Sequence, residues 1–142
     1  KKMGRGFFNT RKHVQSLIAD YQALDSDSNS VFTLDAAAGL TLTLPAVADA
    51  GEGWNCEVIV TTVTTSNAYI ITEKTASDGN VITSQFLEAE TDTADDGPHS
   101  AGHTTVTFQG TPTLGDRCKI VHIGGRYFIT GVTQDDGGVV LA

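Results

Sequence analysis

His99 and His103, separated by "SAG", follow the acidic pair Asp95–Asp96. Two imidazoles at this spacing, with a carboxylate as third ligand, bind zinc when a helix carries them, because i and i+4 side chains then share one face. Here Gly97, Pro98 and Gly102 break any helix, so both histidines are expected to be solvated in a loop. "GPHSAG" misses a nucleophile elbow. Gly97 stands one residue too far from Ser100, and a Thr-rich strand follows where the elbow needs a helix. "DSDSNS", residues 25–30, starts like a calcium loop but has Ser30 where the sharp turn needs glycine and Ala36 where a bidentate glutamate should stand. It reads as an Asp/Ser/Asn turn. The glycines of "HIGGRYF" join two strands and open no helix, so they cradle no phosphate. Asp95–Asp96 and Asp135–Asp136 lie in polar, glycine-rich surroundings that leave carboxylates solvated. Trp54 is expected to cover the end of the core rather than to form a sugar-stacking platform. No catalytic constellation assembles from these residues, and the expectation is a non-enzyme without metal or cofactor.

The elements that must position such residues are strands. Leu40, Leu42 and Leu44 alternate with Thr41 and Thr43 and stop at Pro45, the pattern of a half-buried strand. "CEVIVTTVTT" has apolar residues on both parities, as if covered on both faces. "AYIIT", "NVITS", "QFLEA", "HTTVTFQG" and "GGVVLA" read as further strands. "RCKIVHI" and "RYFITGV" are joined by Gly124–Gly125 alone, which suits a two-residue hairpin with positive φ at both positions. The expected body is a single all-β sandwich or barrel of about eight to ten short antiparallel strands. Residues 88–103, "EAETDTADDGPHSAGH", interrupt the pattern with five acids and no large apolar residue, and read as a long exposed loop. Near the start, Val14, Leu17, Ile18, Tyr21 and Leu24 recur at helical spacing, and Asn9 or Thr10 is placed to cap a helix. The competing reading there is an extended arm with one short strand.

A length of 142 residues suits one domain. The apolar runs are far shorter than a membrane-spanning helix, and no signal peptide is visible. Cys56 and Cys118 are too few for a disulfide framework and are expected to be free, buried thiols.

Charge divides the chain sharply. Five of its nine cations (Lys1, Lys2, Arg5, Arg11 and Lys12) fall within the first 13 residues, which hold no acid. The remaining residues set four cations against 17 carboxylates, so a segment at +5 leads a body at −13. Residues 1–25 are therefore expected to form a basic N-terminal arm and 26–142 an acidic β-rich body. Within the arm Phe7 and Phe8 are apolar anchors, and Gly4 and Gly6 let it conform to a surface. Basic tails also bind nucleic acid by counterion release, but the acidic body opposes close approach to phosphates, and no basic strand with interleaved aromatics accompanies the arm.

Two stretches resemble a known group. "VFTLDAAAGLTLTLPAVADAGEGWNCEVIVTTVTTSNAYIIT" (31–72) and "GDRCKIVHIGGRYFITG" (115–131) resemble small β-rich virion proteins of tailed bacteriophages, particularly marine and cyanobacterial phages. The second stretch shares their Gly-Asp, apolar strand, tight turn, aromatic strand and Gly; Tyr127 or Phe128 stands where those proteins often have Trp. The resemblance covers under half of the chain. It implies a capsid decoration (cement) protein of the virion, made in the host cytoplasm and placed on the outer capsid surface. Its partner would be the major capsid protein, with the chain acting as a homo-oligomer, most simply a trimer. Apolar strand surface, for instance around Val58, Val60, Ile70 and Val121, would be buried between subunits. Capsid docking then falls to Lys1, Lys2, Arg5, Phe7, Phe8, Arg11 and Lys12. The alternative within the same resemblance is a head-fibre or tail-associated appendage that binds a receptor or glycan.

Overall fold

The computed structural model describes residues 11–74, 79–89, 97–109 and 112–142. They hold twelve strands, one α-helical turn and a 3-10 turn at Asp25–Asp27: β1 (His13–Leu17), β2 (Tyr21–Gln22), β3 (Ser30–Leu34), β4 (Leu40–Thr43), α1 (Val47–Ala50), β5 (Asn55–Val60), β6 (Tyr69–Thr72), β7 (Ile82–Glu88), β8 (His99–His103), β9 (Thr105–Phe108), β10 (Arg117–Ile123), β11 (Arg126–Thr133) and β12 (Val139–Leu141). Seven strands form one sheet in the order β1-β3-β5-β10-β11-β7-β8, and five form the other in the order β12-β9-β6-β4-β2. The two pack face to face as a sandwich, as two sheets with alternating burial must.

The expectation of antiparallel pairing is corrected in half of this structure. β1–β3, β3–β5, β2–β4, β4–β6 and β7–β11 are parallel. The reason is a winding path. From β1 to β6 the chain alternates between the large and the small sheet, so each strand returns beside the one two places earlier, running the same way. Parallel neighbours need a crossover connection, and here a strand of the facing sheet supplies it. Antiparallel pairing dominates the second half, where β10 and β11 form the hairpin around Gly124 (φ +59°) and Gly125 (φ +74°). The Glu52 carboxylate accepts the Gly124 N–H at 2.9 and 3.1 Å and fixes that turn to the segment after α1.

Three further expectations change. The helix across 14–24 does not form: β1 pairs with β3 and β2 with β4, and the apolar stripe is divided, with Leu17 buried at 3% exposure while Val14 and Ile18 are 63% and 75% exposed. Sheet pairing overrides the local periodicity. "NVITS" and "QFLEA" belong to one strand, β7. The 88–103 segment is not all loop, because β8 occupies its end; residues 90–96 lie outside the described residues.

The core is a single apolar cluster that includes Phe32, Leu42, Trp54, Val58, Tyr69, Phe86, Phe108, Ile120 and Tyr127. Val58 and Val60 belong to it and are sealed inside the sandwich, so they are not surface for another subunit; Ile70 and Val121 point outward from different sheets. Cys56 and Cys118 are free and buried, and burial pushes both thiols well above their ordinary range. Tyr69 ties loops to the core: its hydroxyl reaches the Thr62 carbonyl (2.7 Å) and the Ala36 carbonyl (2.9 Å). Gly131 lies opposite Phe86 in the β7–β11 pair, with the ring against it. A Cβ there would meet that ring and also stand 2.7 Å from the Arg117 carbonyl. Gly131→Ala should therefore lower stability by about 1–3 kcal/mol, the usual cost of overpacking, measurable by urea unfolding.

Candidate docking face

The residues singled out as possible ligands and nucleophiles are held apart. His99 pairs with Gln85 and is exposed on the outer side of the large sheet, while His103 pairs with Ile82 and points into the sandwich. The two imidazoles leave opposite faces of one strand and cannot share an ion. Among the described residues no three His, Cys, Asp or Glu side chains come together as metal ligands. Chelator treatment should leave the melting temperature unchanged, and a fall of several degrees would restore a metal site to consideration. "DSDSNS" forms a 3-10 turn at Asp25–Asp27, where Asp27 Oδ2 accepts the Leu24 N–H (2.8 Å) and the Tyr21 hydroxyl (2.9 Å), a capping role. Trp54 is 2% exposed, so its ring is closed to a sugar. Asp95 and Asp96 lie outside the described residues; Asp135 and Asp136 are exposed.

Two buried polar groups were not anticipated. Asp116 accepts the Thr113 N–H (2.8 Å) and the Gln134 N–H (2.9 Å), so the Gly115–Asp116 pair is a tether between the turn before β10 and the end of β11. Ser84 and His103 are hydrogen-bonded at 2.9 Å and are 3% and 4% exposed. A nucleophile and base so sealed reach no substrate, and the pair holds β7 to β8 instead. Burial lowers the His103 pKa from its usual value. The unfolded chain therefore takes up a proton near pH 6.5 while the folded chain still excludes it, and stability falls as pH drops below that point. Urea unfolding at falling pH should show a steeper loss for the native chain than for His103→Gln; equal slopes would mean that His103 is not held neutral.

What the strands do assemble is a face. On the outer side of the large sheet, register aligns Glu57, Lys119, Thr130 and Gln85 in one row across β5, β10, β11 and β7. The row on one side is Asn55, Val121, Phe128 and Thr83, and on the other Ile59, Arg117, Val132 and Leu87. Phe128 is 40% exposed, and Leu87, Val132 and Ile123 also stand open on this face. Two shallow grooves flank Phe128. One, of about 410 Å³, runs toward Lys12, Glu57 and Lys119; the other, of about 360 Å³, runs toward Gln85 and His99.

The arm meets the body here. Of its seven singled-out residues, Lys1, Lys2, Arg5, Phe7 and Phe8 lie outside the described residues; Arg11 and Lys12 are described and exposed. The Lys12 ammonium sits 2.6 Å from Glu57 Oε1, with Lys119 3.6 Å from the same oxygen. The Lys12 hydrogen bond, opposed in part by desolvation, lowers the Glu57 pKa. These side chains are solvent-accessible, so the pair contributes only about 0–1 kcal/mol. Its consequence is direction: it sets the Lys12 side chain on the outer face of the large sheet. The strand "RCKIVHI" already carried this signal, since its alternation puts Arg117, Lys119, Val121 and Ile123 on one side.

Compared with models of protein families, with curated proteins and with solved structures, the chain matches none.

Proposed function

We propose that the chain is a structural, non-enzymatic protein of a tailed-phage virion that binds the outside of the capsid shell and stabilises it. The observation that carries this reading is the division of charge, +5 over residues 1–13 against −13 over the rest. An arm of that sign, with Phe7 and Phe8 as anchors, suits acidic grooves between shell subunits. An acidic body suits the solvent side, where it keeps particles soluble and mutually repelling. The resemblance of residues 31–72 and 115–131 to phage virion proteins supplies the partner class, the major capsid protein. Attachment as a trimer would turn individually weak arms into durable binding through effective concentration.

The grooves beside Phe128, one bordered by Gln85 and His99, favour a second reading, a receptor- or glycan-binding appendage of the head or tail. Locating the protein in purified virions separates the two. Copies distributed over the shell support decoration, and copies confined to fibre or tail overturn it. Mixing the intact protein with undecorated shells and with duplex DNA tests the partner, and preference for DNA at physiological salt overturns the shell reading.

A further inference from the structure

We propose that the body, and not the arm alone, grips its partner, through the outer face of the seven-stranded sheet centred on Phe128, and that the partner surface is an acidic protein surface with apolar side chains. The inference rests on the decoration reading for the identity of the partner and on the sheet itself for its chemistry.

The exposed side of a sandwich sheet is ordinarily polar, alternating with the apolar side that packs inward. This one is not. Leu87, Ile123, Phe128 and Val132 stand on it in the open, and Ile59 and Val121 are half-buried between them. The outer side of the small sheet shows the contrast. Its rows are Gln22, Thr43, Thr72 and Thr105, and Thr41, Ile70, Thr107 and Val140, an uncharged, threonine-rich surface of the kind that strands present to water.

Charge distinguishes the same face. The protein carries an excess of acid, yet Arg117, Lys119 and Arg126 project from this side of β10 and β11, and Lys12 reaches it from the arm. Among the described residues, Glu57 is the one carboxylate that the strand register places there. It is shared by two lysines, and Asp35 at the rim is held by Ser16 and Thr62. Arg126 donates to the neutral carbonyls of Asn80 (3.2 Å) and Ala101 (2.9 Å), and among the described residues no carboxylate forms a salt bridge with it. A basic, apolar face on an acidic protein is complementary to an acidic, apolar one. The same face of a second copy would bring cation against cation. A nucleic-acid backbone would meet the cations but leave Phe128, Val132 and Leu87 against phosphate. The Lys12 contact points the same way, since a cation of the basic segment already reaches this face at Glu57.

The test uses the full chain and three forms: native, Arg117→Glu with Lys119→Glu, and, as a control on the opposite sheet, Thr43→Glu with Thr107→Glu. All substituted positions are exposed or half-buried on strand surfaces, and circular dichroism checks that each form is folded. Binding is measured to undecorated shells, to immobilised poly-L-glutamate and to duplex DNA, with self-association followed by sedimentation. The large-sheet variant should lose shell binding by about tenfold or more and lose retention on poly-L-glutamate, while the control keeps both. Equal shell binding by native and large-sheet forms overturns the face and leaves decoration standing. Native protein that ignores shells but is retained by poly-L-glutamate, with loss in the large-sheet variant, upholds the face and removes decoration. A change confined to self-association assigns the face to a second copy, and one confined to DNA assigns it to nucleic acid; either overturns the proposal.

Discussion

Trp54→Ala should lower the stability of the protein by about 3–5 kcal/mol, the usual range for truncating a buried large aromatic. At this chain length the loss corresponds to roughly 10–15 °C in melting temperature. Trp54 precedes β5 and is 2% exposed. Its ring stands edge-on to Tyr127 with centroids 6.0 Å apart, and Tyr127 in turn lies 5.0 Å from the ring of His122. Its Nε1–H donates to the Leu24 carbonyl at 3.1 Å, which ties the Asp25–Asp27 turn to the start of β5. Truncation therefore opens a cavity beside the Tyr127 ring and leaves the Leu24 carbonyl without its donor, two costs that add. Trp54→Phe keeps most of the apolar contact and should lose much less, about 1–2 kcal/mol from the smaller ring and the missing donor. Thermal and urea unfolding of both variants measure the difference. A loss below about 1 kcal/mol for alanine would mean that the ring is not a structural plug, because even partial collapse of such a cavity costs more.

Strands were legible in the sequence where alternation is strict or where a turn has one chemical solution. Leu40-Thr41-Leu42-Thr43 is β4, and Gly124–Gly125 is the β10–β11 turn, because two consecutive positive φ angles leave few residues other than glycine. Partnership was not legible. A short polar connection looks the same whether it folds a strand back on itself or arches across to the facing sheet. The segments 35–39, 44–54 and 61–68 all cross to the facing sheet; the first two make β3 and β5 parallel, and the last two make β4 and β6 parallel. The stretch 14–24 misled for a related reason. Its stripe is too short to outweigh the ladder that β3 offers, and Leu17 alone among Val14, Leu17 and Ile18 enters the core. The arm's charge was plain from composition, and alternation in "RCKIVHI" put Arg117 and Lys119 on one side, but their neighbours there, Val132 and Thr130, are set by register. His103 was hidden because a bulge in the β7–β8 pairing, between Ile82 and Ser84, sets its relation to His99, and bulges leave no fixed mark on sequence.

Removing residues 1–10 should leave the body folded and weaken attachment to shells by about 10²–10⁴-fold. Folding should survive because β1 starts at His13 and, among the described residues, the core cluster draws on Leu17 onward. The binding loss follows from the chemistry of what is removed: Lys1, Lys2, Arg5 and the pair Phe7–Phe8. Each aromatic that enters a pocket contributes roughly 1.5–3 kcal/mol, so the pair accounts for most of the effect. Each exposed ion pair contributes about 0–1 kcal/mol. Replacing Phe7 and Phe8 together by alanine should accordingly cost far more than replacing Lys2 alone. Raising salt should weaken binding without abolishing it, because screening acts on the charges and not on buried apolar surface. Lys12 remains in the shortened chain and keeps its bond to Glu57, so the outer sheet face is intact and a residual, strongly salt-dependent affinity should persist. Titration of intact, shortened and Phe7→Ala/Phe8→Ala protein against undecorated shells at low and high salt measures all of these quantities together. Decoration that survives loss of the arm undiminished would remove the arm from the docking surface and leave the sheet face to account for attachment by itself.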